Sequence, residues 1–219
     1  MPALDTKSFK GLMLPAISGA KTMGHKAPDI DGKSVEARLV DALAGRPIVL
    51  VGMMGAGKTT VGRRLANRLG VAFTDSDAEI ETAAGMSIPD IFAAHGETEF
   101  RAGEARVITR LLREHRGVIA TGGGAFINPE TRAAIKDLAV SVWIKAEFDV
   151  LFARVSKRPN RPLLQTRDPK GTLRELIEKR YPTYALADIT IASRDVPHDV
   201  VVSEIISTLT NHFNAAADQ

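Results

Sequence analysis

No cysteine occurs anywhere in this chain, which excludes disulfides, zinc–thiolate centres and a cysteine nucleophile. Aromatic residues make up only 5% of it, and the basic residues are spread out rather than gathered in a stripe. A nucleic-acid interface needs a clustered basic surface with aromatic platforms, so none is expected. No run of about 18 apolar residues exists, so no membrane-spanning segment is expected either. A strong charge of one sign is also missing, the formal net charge being +3. What is left, 44% hydrophobic and 25% charged residues over 219 positions, suits one globular domain with some extra chain at one end. The lack of cysteine agrees with a cytoplasmic location.

Residues 1–33 contain lysines but no arginine, include Asp5, Asp29 and Asp31, and lack a continuous apolar core. They read as a disordered extension rather than a secretory or transit segment. SVEARLVDALAG (34–45) reads as an amphipathic helix, with Val35, Leu39 and Leu43 on one face and Gly45 closing it. Residues 34–46 are therefore an extra helix or linker before a main domain at 47–212, with a short tail at 213–219. PIVLVG (47–52) is a continuous apolar run ending in glycine, the pattern of a buried parallel strand. Similar strands are read at 71–75, 117–122, 139–145 and 188–192, with helical stretches between them. The longest stretch, 88–115, is interrupted near Gly96. Alternation of this kind predicts an α/β fold with a parallel sheet and right-handed crossovers. Residues 156–171 are rich in Arg, Lys and Pro and lack periodicity. They read as a mobile loop or lid, centred on 156–168. The group Lys157, Arg158, Arg161 and Arg167 there suits a small anionic ligand.

GMMGAGKT (52–59) matches Gly-x4-Gly-Lys-Ser/Thr and lies between a predicted strand and a predicted helix, the context the motif requires. Glycines let backbone N–H groups turn inward towards phosphates, and the following helix presents its positive end to them. Lys58 would neutralise β- and γ-phosphate oxygens, and the Thr59 hydroxyl would serve Mg²⁺. Gly55, Ala56, Gly57, Lys58, Thr59 and Thr60 are the expected ATP contacts. The motif specifies a nucleoside triphosphate and leaves the acceptor open.

TDSD (74–77) places Asp75 and Asp77 at the end of the second predicted strand, where open α/β sheets bind ligands. A carboxylate there can hold magnesium-bound water, or orient a hydroxyl and take its proton. Alternatively, Ser76 or Asp77 caps the helix that follows. FRAGE (100–104) alone reads as a charged helix face. ATGGG (120–124) carries more glycine than a tight turn requires, which points to backbone close to a ligand.

In order and spacing these segments resemble the shikimate kinase family: GMMGAGKTTVGRRLA, FTDSDAEIE, GETEFRAGE, TGGG, NRPLL and KRYPTY followed by ADIT, spread from about Ile48 to Ile206. The resemblance implies a three-layer P-loop NTPase fold with a five-stranded parallel sheet of order 2-3-1-4-5 flanked by helices, with a mobile lid. It implies transfer of the γ-phosphate of ATP to the 3-hydroxyl of shikimate, with Mg²⁺. It also implies roles. Asp77 binds shikimate hydroxyls and acts as base or positioner, and Asp75 acts through the magnesium water shell. Arg101 and Arg180 clamp the carboxylate, Glu104 orders Arg101, and Gly122, Gly123 and Gly124 form the wall. Arg161 swings in with the lid as a catalytic cation beside Lys58 and Asp77, and Arg154 stacks on adenine opposite Pro197. ATP and shikimate are the expected partners of a monomer. A gluconate kinase also accepts a hydroxy acid, but the two arginines with the triple glycine favour shikimate.

Overall fold

The protein is described by a computed structural model covering residues 32–156 and 166–217. The apolar run after Pro47 forms β1 (Ile48–Val51), whose residues are all buried. β1 is flanked on both sides by parallel partners: β3 (Val118–Ala120), with Val49 opposite Ile119, and β4 (Val140–Ala146), with Val49 opposite Ser141. β2 (Phe73–Asp75) pairs with β3, and β5 (Ile189–Ser193) pairs with β4, so the order is β2-β3-β1-β4-β5. This is the expected 2-3-1-4-5 sheet, with each strand within two residues of its predicted limits. β5 alternates buried and exposed residues, as an edge strand does.

Two groups of helices flank the sheet. α1 (Val35–Leu43), α2 (Lys58–Leu69) and α8 (His198–Ala217) pack on one another. Gly62 lets α2 lie close to the strands, since a methyl group there would come within 2.7 Å of Phe73 and 3.1 Å of Leu50. α1 starts at Ser34, whose hydroxyl accepts from the Ala37 N–H, and ends on Ala44 in the left-handed region, one residue before the expected Gly45. Its Leu39 and Leu43 belong to the main hydrophobic core, so α1 is an integral layer of the domain. α8 likewise continues past residue 212, the predicted domain end, to Ala217.

In the second group, α4 (Ile88–Glu114) packs against α5 (Pro129–Leu138), and α6 (Phe148–Val155) against α7 (Pro169–Tyr184). α4 breaks at Gly96, which has φ 77° and ψ 175°, as the sequence suggested. The part before the break joins α3 (Ser76–Ala84) around a small separate core of Ile80, Ile91 and Phe100. The predicted extension at 1–33 falls almost wholly outside the described residues. No helix among the described residues is long and apolar enough to cross a membrane.

Candidate active site

The site lies at the carboxyl ends of β1, β2 and β3, and its phosphate cradle follows β1. Gly52, Gly55 and Gly57 have φ of 134°, 81° and 97°, conformations that L side chains rarely adopt. They wind the loop into the start of α2. Gly57 caps that helix with no side-chain hydrogen bond, so the N–H groups of the first turn remain open to a ligand. Lys58 is 8% exposed and curls over the loop, donating to the carbonyls of Gly52 at 2.8 Å and Met53 at 2.9 Å. The Arg154 guanidinium closes the other side through Ser193 Oγ at 3.0 Å and the Gly55 carbonyl at 3.4 Å. A cavity of about 400 Å³ is lined by Lys58, Thr59, Thr60, Asp75, Arg154 and His198, among others. Pro197 is exposed just ahead of α8, and it is its neighbour His198 that reaches this cavity.

Asp75 does two jobs at the end of β2. One oxygen accepts from the Thr59 hydroxyl at 2.8 Å, and the other caps α3 by accepting from the Asp77 N–H at 3.0 Å. The helix cap is therefore Asp75, not Ser76 or Asp77, and Asp77 stands in the first turn of α3. Ser76 is fully buried and accepts from the Gly122 N–H at 3.1 Å, tying the start of α3 to the glycine loop.

Beside the cradle is a smaller cavity of about 90 Å³, lined by Asp77, Arg101, Glu104, Gly122, Gly123, Gly124 and Arg180, with Met54, Ile88, Phe92 and Phe100 as its apolar part. The missing side chains of the glycine loop are what make room for it. A methyl on Gly122 would lie 2.7 Å from Asp77 Oδ1 and 2.8 Å from Glu104 Oε1. One on Gly124 would lie 2.5 Å from Arg101 Nη1, and one on Gly123 would lie 3.0 Å from the Met54 nitrogen of the phosphate loop.

Arg101 pairs with Glu104 at 2.7 Å and with Glu97 at 3.1 Å, and its guanidinium lies 5.1 Å from the centre of the Phe100 ring. Glu104 is 2% exposed, and its Oε1, at the cavity wall, has no hydrogen-bond partner among the described residues. Burial pushes the Glu104 pKa above the usual glutamate value, against the opposing charge of Arg101. For Arg101, burial pulls downward but Glu104 and Glu97 outweigh it, so its pKa rises and the cation is secure. Arg180 is also buried, and its Nη1 donates to the Gly123 carbonyl at 3.0 Å.

The two cavities touch. Met54, Asp77 and Gly123 line both of them. The structure thus brings together Lys58, Thr59, Asp75, Asp77, Arg101, Glu104, the three glycines and Arg180. Arg161 and residues 157–165 of the predicted lid lie outside the described residues. Glu97 was not singled out from sequence, Ser76 was read only as a possible helix cap, and Tyr184 stood in the KRYPTY segment without an assigned role. Tyr184 carried a signal, since it stands four residues after Arg180 and so on the same helix face.

A central β1 ending in a glycine cradle, with strand order 2-3-1-4-5, defines a P-loop phosphotransferase with a separate acceptor cavity. The family model "Shikimate kinase" matches residues 54–210. A shikimate kinase of Rhodopseudomonas palustris is 59% identical over 184 residues, covering 84% of this chain and 91% of that protein. One from Bradyrhizobium diazoefficiens is 60% identical over 180 residues, covering 82% and 87%. Among solved structures, the shikimate kinase of Acinetobacter baumannii in complex with shikimate is similar, with a TM-score of 0.73 and 39% identity over 76% of this chain and 93% of that one. The chain belongs to the shikimate kinase family.

Proposed function

We propose that this protein transfers the γ-phosphate of ATP to the 3-hydroxyl of shikimate, giving shikimate 3-phosphate and ADP. The observation that carries the reading is the meeting of the two cavities at Asp77 and Gly123. A hydroxyl held by Asp77 stands next to the phosphate cradle, and an acid group in the same small cavity meets Arg101 and Arg180. Two guanidinium forks suit a carboxylate, because each can donate two parallel hydrogen bonds to it.

In this reaction the acceptor oxygen forms a bond to the γ-phosphorus as the bond to the bridging β–γ oxygen breaks. Asp77 orients the hydroxyl and is the nearest carboxylate to receive its proton. Because the transition state of phosphoryl transfer is loose, positioning supplies much of the effect. Lys58 leaves the Gly52 and Met53 carbonyls for phosphate oxygens, and the N–H groups at the start of α2 hold the rest. Arg154, packed on the phosphate loop and beside the cavity, is the adenine-side residue, with Pro197 assigned to the same subsite. Arg161 is assigned to the transferring phosphate, and lid closure would keep water from competing as acceptor.

The residues also fit Mg²⁺. Thr59 Oγ1 and Asp75 Oδ2 sit 2.8 Å apart beside the cradle, both hard oxygen donors. Among the described residues there is no cluster of three or more His, Cys, Asp or Glu able to hold a metal by itself. That suits an ion carried mainly by phosphates and water, with Thr59 as direct ligand and Asp75 acting through water. Bound there, the ion would neutralise charge on the β- and γ-phosphates. The same reading makes the protein a cytoplasmic monomer whose partners are ATP and shikimate.

Coupled ADP release measured with shikimate and gluconate side by side tests the assignment. Turnover with shikimate is expected. Turnover with gluconate and none with shikimate would reject it.

A further inference from the structure

The glycine wall of the acceptor cavity is held from behind by Tyr184. This residue ends α7 one helical turn after Arg180, so both side chains project from the same face. Its ring is 1% exposed and packs against Phe126, Trp143 and Tyr181. Its hydroxyl donates to the Gly123 carbonyl, the same oxygen that accepts from Arg180 Nη1. Tyr184 and Arg180 thus converge on one carbonyl oxygen, and two donors on one acceptor constrain each other's direction. Burial pushes the Tyr184 phenol up to about 12, so it keeps its proton and remains a donor at any ordinary assay pH.

From this shared carbonyl, and resting on the shikimate reading above, we infer that Tyr184 is a positioning residue for the acceptor: its hydroxyl fixes the Gly123 peptide, and through that carbonyl the Arg180 guanidinium, in the orientation that receives the acid group. The peptide is planar and trans, so holding the Gly123 carbonyl also fixes the Gly124 N–H on the other side of the bond. Gly123 is shared by both cavities, and Tyr184 Oη lies 3.9 Å from the Met53 sulfur of the phosphate loop. The effect is nevertheless aimed at the acceptor, because Arg180 lines only the smaller cavity of these two.

Tyr181 provides a matched control. It belongs to the same aromatic group and its hydroxyl also donates to a buried-strand carbonyl, that of Ala146, but it makes no bond to Gly123 or Arg180. Each Tyr→Phe change removes one hydroxyl that donates to a backbone carbonyl, from a fully buried ring at Tyr184 and a partly buried one at Tyr181, and both are expected to lower Tm by about 2–4 °C. Only Tyr184→Phe is expected to raise the KM for shikimate, by about tenfold, with the KM for ATP held within about twofold. Equal effects of Y181F and Y184F on shikimate KM, or a Y184F effect that falls equally on ATP, would reduce Tyr184 to a packing residue. Wild-type protein that does not use shikimate overturns both this inference and the activity assignment. Active wild type with indistinguishable variants overturns this inference alone. Should Y184F fail to accumulate, fluorotyrosine-labelled wild type decides, because the chain has only two tyrosines. With the ¹⁹F resonances assigned through Y181F, shikimate is expected to shift the Tyr184 signal and leave that of Tyr181 in place. A Tyr184 signal that ignores shikimate, or moves no more than that of Tyr181, contradicts the role.

Discussion

The donor and acceptor cavities adjoin, but they are built in opposite ways. The cradle comes from one stretch of chain, and its binding groups are mostly backbone N–H groups set by three glycines of positive φ and the start of α2. The acceptor cavity draws on four segments far apart in sequence: α3 for Asp77, α4 for Arg101 and Glu104, the loop after β3 for its glycines, and α7 for Arg180. Its working groups are side chains, with Arg101 held by Glu104 and Glu97 and Arg180 by the Gly123 carbonyl. Damage to the cradle should therefore fall on the nucleotide and the chemistry, whereas damage to the acceptor supports should fall on shikimate affinity.

The largest effect is expected from Lys58→Met. Loss of the cation proposed to serve the γ-phosphate should lower kcat by about 10³, in line with the loss of comparable charge-stabilising groups. Shikimate binding, measured calorimetrically without nucleotide, should change little. A large loss of shikimate affinity in K58M would show that the two cavities are not separable.

Next comes Gly124→Ala. With φ −111°, Gly124 sits where alanine is conformationally acceptable, so the cost is steric: the new methyl takes the space of the Arg101 guanidinium. Steady-state kinetics should show shikimate KM rising about tenfold, the scale of one displaced charge-assisted contact, with ATP KM unchanged. Equal rises in both would place the loop in the cradle as much as in the clamp.

The smallest effect concerns Glu104 and pH. Its folded-state pKa lies above the unfolded value because of burial. The folded protein therefore holds this proton more tightly, and the resulting stability is present below the unfolded pKa and lost as pH rises through the folded one. The Tm of Glu104→Gln relative to wild type should accordingly become more favourable as pH rises above about 4.3, where an unfolded glutamate ionises. A flat difference across that range would mean that Glu104 is effectively solvated.

The contrast also explains what the sequence revealed. The cradle was legible because one contiguous motif carries it, and the sheet order followed from the family resemblance on which that motif sits. The Arg101–Glu104 pair was legible only through the resemblance, since a charged i, i+3 pair on a helix is ordinarily a solvated face. Asp75 was harder. Capping of α3 and contact with Thr59 use different oxygens of one carboxylate, and spacing cannot apportion them among Asp75, Ser76 and Asp77. The roles of Tyr184 and Ser76 escaped because their partners are backbone groups of the glycine loop, 61 and 46 residues away. The packing of α1 against the core was half visible, in the apolar face of Leu39 and Leu43 but not in the surface that covers it.

Asp77→Asn tests most directly whether the two cavities meet over a hydroxyl held by that carboxylate. The change keeps size and hydrogen-bonding capacity while removing the charge and the proton acceptor. With ATP and saturating shikimate, turnover should fall by about 10²–10³, within the usual range for a lost acid–base or orienting group, while ATP affinity stays as in the wild type. Unchanged turnover would remove Asp77 from the mechanism and contradict the meeting of donor and acceptor at that residue.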